Sequence, residues 1–74
     1  MTVNFKTLKS FVTAVDARSL SAAAAQLSVA QPALSQHIAS LEEHFKLKLL
    51  DRSNAGVTPT AAGNELYRHA QIML

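Results

Sequence analysis

Apolar residues recur along the first part of the chain with the period of a helix. Phe5, Leu8, Phe11, Val12 and Val15 share one side, and Lys6, Lys9, Thr13 and Asp16 the other. The pattern predicts an amphipathic helix from about Asn4 to Ala17, with Asn4 as its cap. Arg18-Ser19-Leu20 breaks the period, and Ser19 or Ser21 is placed to cap a second, short helix over Ala22-Ala23-Ala24-Ala25-Gln26-Leu27. An alanine run favours helix and lets a neighbouring helix approach closely. Ser28-Val29-Ala30 leaves room only for a tight connection. Gln31-Pro32 then opens a third helix, since proline suits a first turn, where its missing N–H has no partner to lose. Leu34, Ile38, Leu41 and Phe45 form its inward stripe, while Ser35, Gln36, His37, Ser40, Glu43 and His44 fall elsewhere. Glu42-Glu43 sits where the helix dipole disfavours acids, and solvation or pairing with Lys46 is the explanation the sequence offers.

Leu47, Leu49 and Leu50 follow, and then Asp51-Arg52-Ser53-Asn54-Ala55-Gly56-Val57-Thr58, whose Asn and Gly between short apolar stretches predict a turn joining two short strands. Thr60 is a good cap for a last helix running from Ala61 to the end. Ala62, Leu66, Ala70 and Met73 make one stripe there, with Tyr67 and Leu74 beside it, but Ile72 lies with Glu65, Arg68 and Gln71 on the opposite side. That helix ends while still apolar and without a stop signal, which reads as truncation.

Composition narrows the class. Seventy-four residues, 49% of them hydrophobic, allow one small domain and argue against disorder. The absence of cysteine removes disulfides, thiolate nucleophiles and sulfur-based zinc sites. No apolar run nears the ~20 residues of a membrane span, and MTVNFKTLK lacks the layout of a signal peptide, so a soluble cytoplasmic domain is expected. A net charge of +2 says little as a total. Its distribution says more: Lys6, Lys9 and Arg18 flank the first apolar segment, Lys46, Lys48 and Arg52 cluster later, and Leu20 through Leu41 contains no charged residue.

Two helices joined by a few residues, the second apolar on one side and small and polar on the other, form a helix-turn-helix pattern. Such a helix fits the major groove of DNA, where Gln, Ser and His reach base edges and first-turn N–H groups point at phosphates. Arg52 in the hairpin is placed to follow the adjacent backbone or minor groove. The same pattern also describes a small helical protein-interaction module, and the neutral block would then bind a partner helix.

Ser19-Leu20-Ser21-Ala22-Ala23-Ala24, Leu27, Gln31-Pro32-Ala33-Leu34-Ser35-Gln36-His37-Ile38, Leu41-Glu42, Leu49-Leu50-Asp51-Arg52 and Thr58-Pro59-Thr60-Ala61-Ala62-Gly63 together resemble the N-terminal domain of the LysR-type bacterial transcriptional regulators. The likeness runs over essentially the whole chain. It implies a mainly α winged helix-turn-helix, with a three-helix core and a small β-hairpin wing over residues 1–58, followed by the start of a dimerisation and linker helix over 59–74. It also implies a C-terminal domain, not included in this sequence, through which alone a small-molecule inducer would act. Carried over by position, Gln31, Pro32, Ser35 and Gln36 are the implied major-groove residues, with His37 added as their neighbour, and Ser21 and Arg52 the backbone and wing contacts; Ile72, on the wrong side of the last helix, supports the dimer, with Leu66 and Met73 as the other expected dimer contacts. Double-stranded DNA and a second copy of the chain are the implied partners. Gln36 stands where the family often has arginine, which exchanges a guanine-reading fork for an amide suited to adenine. Ala30 stands where Ser or Thr commonly caps the recognition helix, so the cap comes from the Ser28 hydroxyl or is forgone at about 1 kcal/mol.

Enzyme parts are missing. His37 and His44 lie two turns apart, roughly 10 Å along one helix, too far to share a metal. The sequence contains no His-Glu-x-x-His element, phosphate loop or nucleophile elbow. No catalysis, metal or cofactor is expected.

Overall fold

The computed structural model describes residues 4–53 and 56–73. In chain order they form α1 (Phe5–Ala17), α2 (Leu20–Leu27), α3 (Gln31–Phe45), β1 (Leu50–Ser53), β2 (Gly56–Pro59) and α4 (Ala61–Met73). This is the architecture expected from the sequence, with α2 starting two residues earlier than its alanine run. Asn4 caps α1 in a reciprocal box with Thr7. Ser19, rather than Ser21, caps α2 by accepting from Ala22 N at 3.1 Å.

Phe11, Ala14, Ala23, Ala24, Leu34, Ile38, Leu41, Leu49 and Leu50 make the core where the first three helices meet the base of the hairpin. Half of the alanine run is buried there, and its small side chains bring α2 close to its neighbours. Two aromatics depart from the expected stripes. Phe5, in the first turn of α1, is 65% exposed, and Phe45, in the last turn of α3, is 38% exposed with its ring edge-on to His44. Each lies at a helix end, beyond the reach of the helices that cover the middle of its stripe.

The connection between α2 and α3 closes as a paired-bond turn. Ser28 adopts a left-handed conformation (φ 57°), with Ser28 N donating to Ala25 O at 3.2 Å and Val29 N to Ala24 O at 3.0 Å. Ser28 thus terminates α2 and does not cap α3. The α3 N-terminus carries no side-chain cap, so the alternative of forgoing one holds.

The hairpin is antiparallel, with Leu50 opposite Pro59 and Ser53 opposite Gly56. The tip residues Asn54 and Ala55, on which the expected turn falls, lie outside the described residues. Glu42 explains its own position late in α3: its Oε2 accepts from Leu49 N at 2.8 Å and from Leu50 N at 3.2 Å, tying the start of the wing to the recognition helix. Its neighbour Glu43 pairs with Lys46 as expected, at 3.1 Å and fully at the surface.

The wing is held from the other side as well. Val57 N donates to Arg18 O at 3.2 Å, and a Cβ on Gly56 (φ +119°) would sit 2.3 Å from that carbonyl. Thr60 Oγ1 accepts from Gly63 N at 3.0 Å, capping α4, and donates to Lys48 O at 2.6 Å. Gly63 then passes so close to Leu49 that a Cβ would meet its carbonyl oxygen at 2.0 Å. The Thr-Pro-Thr-Ala-Ala-Gly segment is therefore a cap followed by a backbone crossing that only glycine fits. Ala70 is fully buried and Tyr67 donates to Asp16, which lays α4 along α1.

Candidate nucleic-acid interface

The first two turns of α3 present Gln31, Pro32 and Gln36 fully at the surface and Ser35 partly so, opposite the buried Leu34, Ile38 and Leu41. With no side chain on its N-terminus, α3 points the positive end of its dipole outward beside these residues. The face offers amide and hydroxyl groups and no charge.

One flank of α3 brings together residues far apart in sequence. Ser21, in the first turn of α2, donates its hydroxyl to Gln31 Oε1 at 2.8 Å. Arg52, exposed on β1, joins both residues around one open depression of about 270 Å³, with Ser19 and Ser53 on its rim. Among the described residues Arg52 forms no ion pair. An exposed guanidinium and a glutamine amide thus face one space, donors of the kind expected for an anionic backbone, with the Ser21 hydroxyl holding the amide in place. Because Ser21 occupies the Gln31 oxygen, the amide nitrogen supplies the outward donors.

On the other flank His37 is half-buried, with Nδ1 2.8 Å from the Ser10 hydroxyl of α1. Lys6 and Lys9, both exposed, line a depression of about 220 Å³ beside it. Ser10 escaped sequence reasoning, although a signal existed. Thr7, Ser10, Phe11 and Ala14 share the buried face of α1, and a serine at a core position calls for a hydrogen-bond partner.

The residues assigned to dimerisation separate into two groups. Leu66 packs partly on its own core and lines an open apolar cleft of about 260 Å³ with Phe45 and Leu47. Ile72 and Met73 are 78% and 62% exposed at the end of α4, so Met73 does not extend the inward stripe beyond Ala70.

A three-helix core whose second and third helices form a tight helix-turn-helix, with a β-hairpin beside the third, defines a winged helix-turn-helix domain. The chain belongs to the bacterial regulatory helix-turn-helix proteins of the lysR family, whose model matches residues 5–64. It is 53% identical to the nitrogen assimilation regulatory protein nac of Escherichia coli (strain K12) over 97% of this chain and 24% of that protein. It is 37% identical to the HTH-type transcriptional regulator CysL of Bacillus subtilis (strain 168) over 95% of this chain and 23% of that one. The chain therefore spans about a quarter of the length of these relatives. Among solved structures it is similar to the CbnR DBD–DNA complex, with a TM-score of 0.92 at 34% identity, covering 96% of this chain and 82% of that one. The BenM DBD/catB site 1 DNA complex matches with a TM-score of 0.92 at 35% identity, over 96% and 80% of the two chains. No helix among the described residues is long and apolar enough to cross a membrane.

Proposed function

We propose that this chain is the DNA-reading part of a bacterial LysR-type transcriptional regulator, working in the cytoplasm without catalysis or cofactor. It binds an inverted repeat as a homodimer, with α3 in the major groove and the wing on the backbone or minor groove. Residues 1–58 are the reading head, and 59–74 begin the linker helix that pairs two subunits. The observation that carries this reading is the flank of α3 where Ser21, Gln31 and Arg52 converge beside the uncharged surface of Pro32, Ser35 and Gln36. Support comes from the fold's likeness to two protein–DNA complexes. The exposed Ile72 and Met73 supply an apolar end for a second copy, and two-fold pairing lets two short readings add into one longer symmetric site.

Selection of bound duplexes from a random pool, repeated with variants, tests the assignment. Gln31→Ala and Ser35→Ala should each relax base preference at particular positions, a good contact being worth ~1–3 kcal/mol of discrimination. Arg52→Ala should weaken all sequences alike and lower the salt slope by about one. Unchanged selectivity in both helix variants removes the groove assignment, and binding indifferent to salt and sequence transfers the surface to a protein-interaction role.

A further inference from the structure

We propose that Ser10 is a positioning residue that locks His37 into the tautomer whose Nε2–H donates to a DNA phosphate, along the edge of α3 where Lys6 and Lys9 lie. The inference rests on the DNA-binding reading above. It moves His37 from base contact to backbone contact and recruits α1 to the interface.

Ser10 is 2% exposed, so its hydroxyl hydrogen needs an acceptor inside the protein. A helical serine commonly donates to the carbonyl one turn back, as Thr13 does to Lys9 O at 2.8 Å. The Ser10 hydroxyl instead has His37 Nδ1 at 2.8 Å as its partner. A neutral imidazole holds one donor nitrogen and one acceptor nitrogen. When the serine proton goes to Nδ1, that nitrogen is the acceptor and Nε2 carries the hydrogen. The opposite tautomer makes Ser10 the acceptor and sends its proton back to a carbonyl of α1, a hydrogen bond not found for Ser10 among the described residues. No protein partner for Nε2 is found among the described residues, and no buried side-chain nitrogen there lacks one, so Nε2 of the half-buried ring has access to solvent.

An outward N–H beside two ammonium groups suits an anionic oxygen. Lys6 and Lys9 are exposed on the depression that His37 lines, on the side of α3 away from Ser21 and Arg52. The recognition helix is thus bracketed by two phosphate-binding edges of different character. One carries a guanidinium, and the other a neutral N–H set by a serine and backed by two lysines.

The experiment measures affinity for one selected duplex over a range of salt, and reads the His37 tautomer from imidazole nitrogen NMR of the free protein. Wild type should show the Nε2–H form, and Ser10→Ala should lose that preference. Ser10→Ala and His37→Ala should each weaken binding about tenfold, and the double variant no further than either alone. Because a neutral donor releases no counterion, His37→Ala should leave the salt slope unchanged, while Lys6→Gln and Lys9→Gln should each lower it by about one. His37→Gln places an amide nitrogen near the Nε2 position, so it should retain affinity and make it independent of Ser10. An Nδ1–H tautomer in wild type, additive losses, or a His37→Gln variant as weak as His37→Ala overturns the proposal. The wild-type tautomer and His37→Gln decide it even where Ser10→Ala fails to fold. If Gln31→Ala and Arg52→Ala also bind as wild type does, the DNA reading itself fails; if only those two weaken binding, this inference alone falls.

Discussion

The recognition helix and the wing stand side by side at the same surface, yet they are attached to the domain by opposite means. Helix α3 is held by side chains, with Leu34, Ile38 and Leu41 fully buried against α1 and α2. Among its described residues the hairpin has only Leu50 and Val57 buried, and it is held through its backbone: Val57 N to Arg18 O, Leu49 and Leu50 N to Glu42, and Thr60 and Gly63 against the chain at Lys48 and Leu49. The helix can therefore change its outward polar residues at little cost to stability, because its anchors face the other way. The wing can vary Arg52 and Ser53, whose side chains are exposed, but leaves no freedom at the glycines where two backbones touch. Specificity is thus free to evolve on α3 over a rigid, sequence-demanding wing mount.

The sharpest way to break this contrast is to add one carbon to the wing mount and remove three from the helix anchor. Alanine at an ordinary helical position is better than glycine by about 1 kcal/mol, so Gly63→Ala would stabilise α4 if space allowed. Here the new Cβ meets Leu49 O at 2.0 Å and the Pro59 Cβ at 3.2 Å, and backbone must move. We expect a net loss of ~2–4 kcal/mol, as large as the ~2–5 kcal/mol of Leu34→Ala. Either is a large share of the stability of so small a domain. Urea melts of the two variants check this, and a Gly63→Ala protein as stable as wild type would show that the wing mount is compliant.

Next in size is the single link that couples helix and wing. Glu42→Ala leaves the Leu49 and Leu50 N–H groups without their carboxylate and should cost ~2 kcal/mol, whereas Glu42→Gln retains an acceptor oxygen without the charge and should cost about half as much. Hydrogen exchange locates the effect. The Leu49 and Leu50 amides should lose protection while those of Ile38 and Leu41 keep theirs, and uniform loss over both groups would mean that wing and helix open as one unit.

The same contrast explains which parts of the molecule were legible in the sequence. Elements held by side chains announce themselves by period: Leu34, Ile38 and Leu41 at helical spacing, the alanine run, and the caps Asn4 and Thr60. Phe5 and Phe45 fit those periods and still end exposed, because period describes the helix and not where its neighbours stop. Contacts held by backbone leave no periodic trace. The carbonyl of Arg18 against Gly56, and Glu42 reaching two amides seven and eight residues on, depend on how the hairpin folds back. The site divides in the same way. Gln31, Ser35, Gln36 and Arg52 stood out by residue type and position, but the bond joining Ser21 to Gln31 and the Ser10 partner of His37 appear only once α1, α2 and α3 are assembled.

The weakest tie is neither core nor backbone, and its expected effect is the smallest. Tyr67 of α4 donates its hydroxyl to Asp16 of α1 and accepts from Gln71 Nε2 at 3.1 Å. The hydrogen bond to the Asp16 carboxylate holds the phenol above its ordinary value of 10.0, with burial and the carboxylate charge acting in the same direction and Gln71 opposing them. A value raised in the folded state means that folding favours the protonated phenol. The contribution is therefore complete below the unfolded value of about 10 and is lost as pH rises through the folded one, where a phenolate would face a carboxylate. Wild type should exceed Tyr67→Phe in stability by a small, constant margin from about pH 7 to 9, and the margin should shrink at more alkaline pH. Ultraviolet titration of this single tyrosine should give a midpoint above 10.0, and Asp16→Asn should bring it back down. A midpoint unmoved by Asp16→Asn would show that α4 rests on α1 through Ala70 and its apolar neighbours alone.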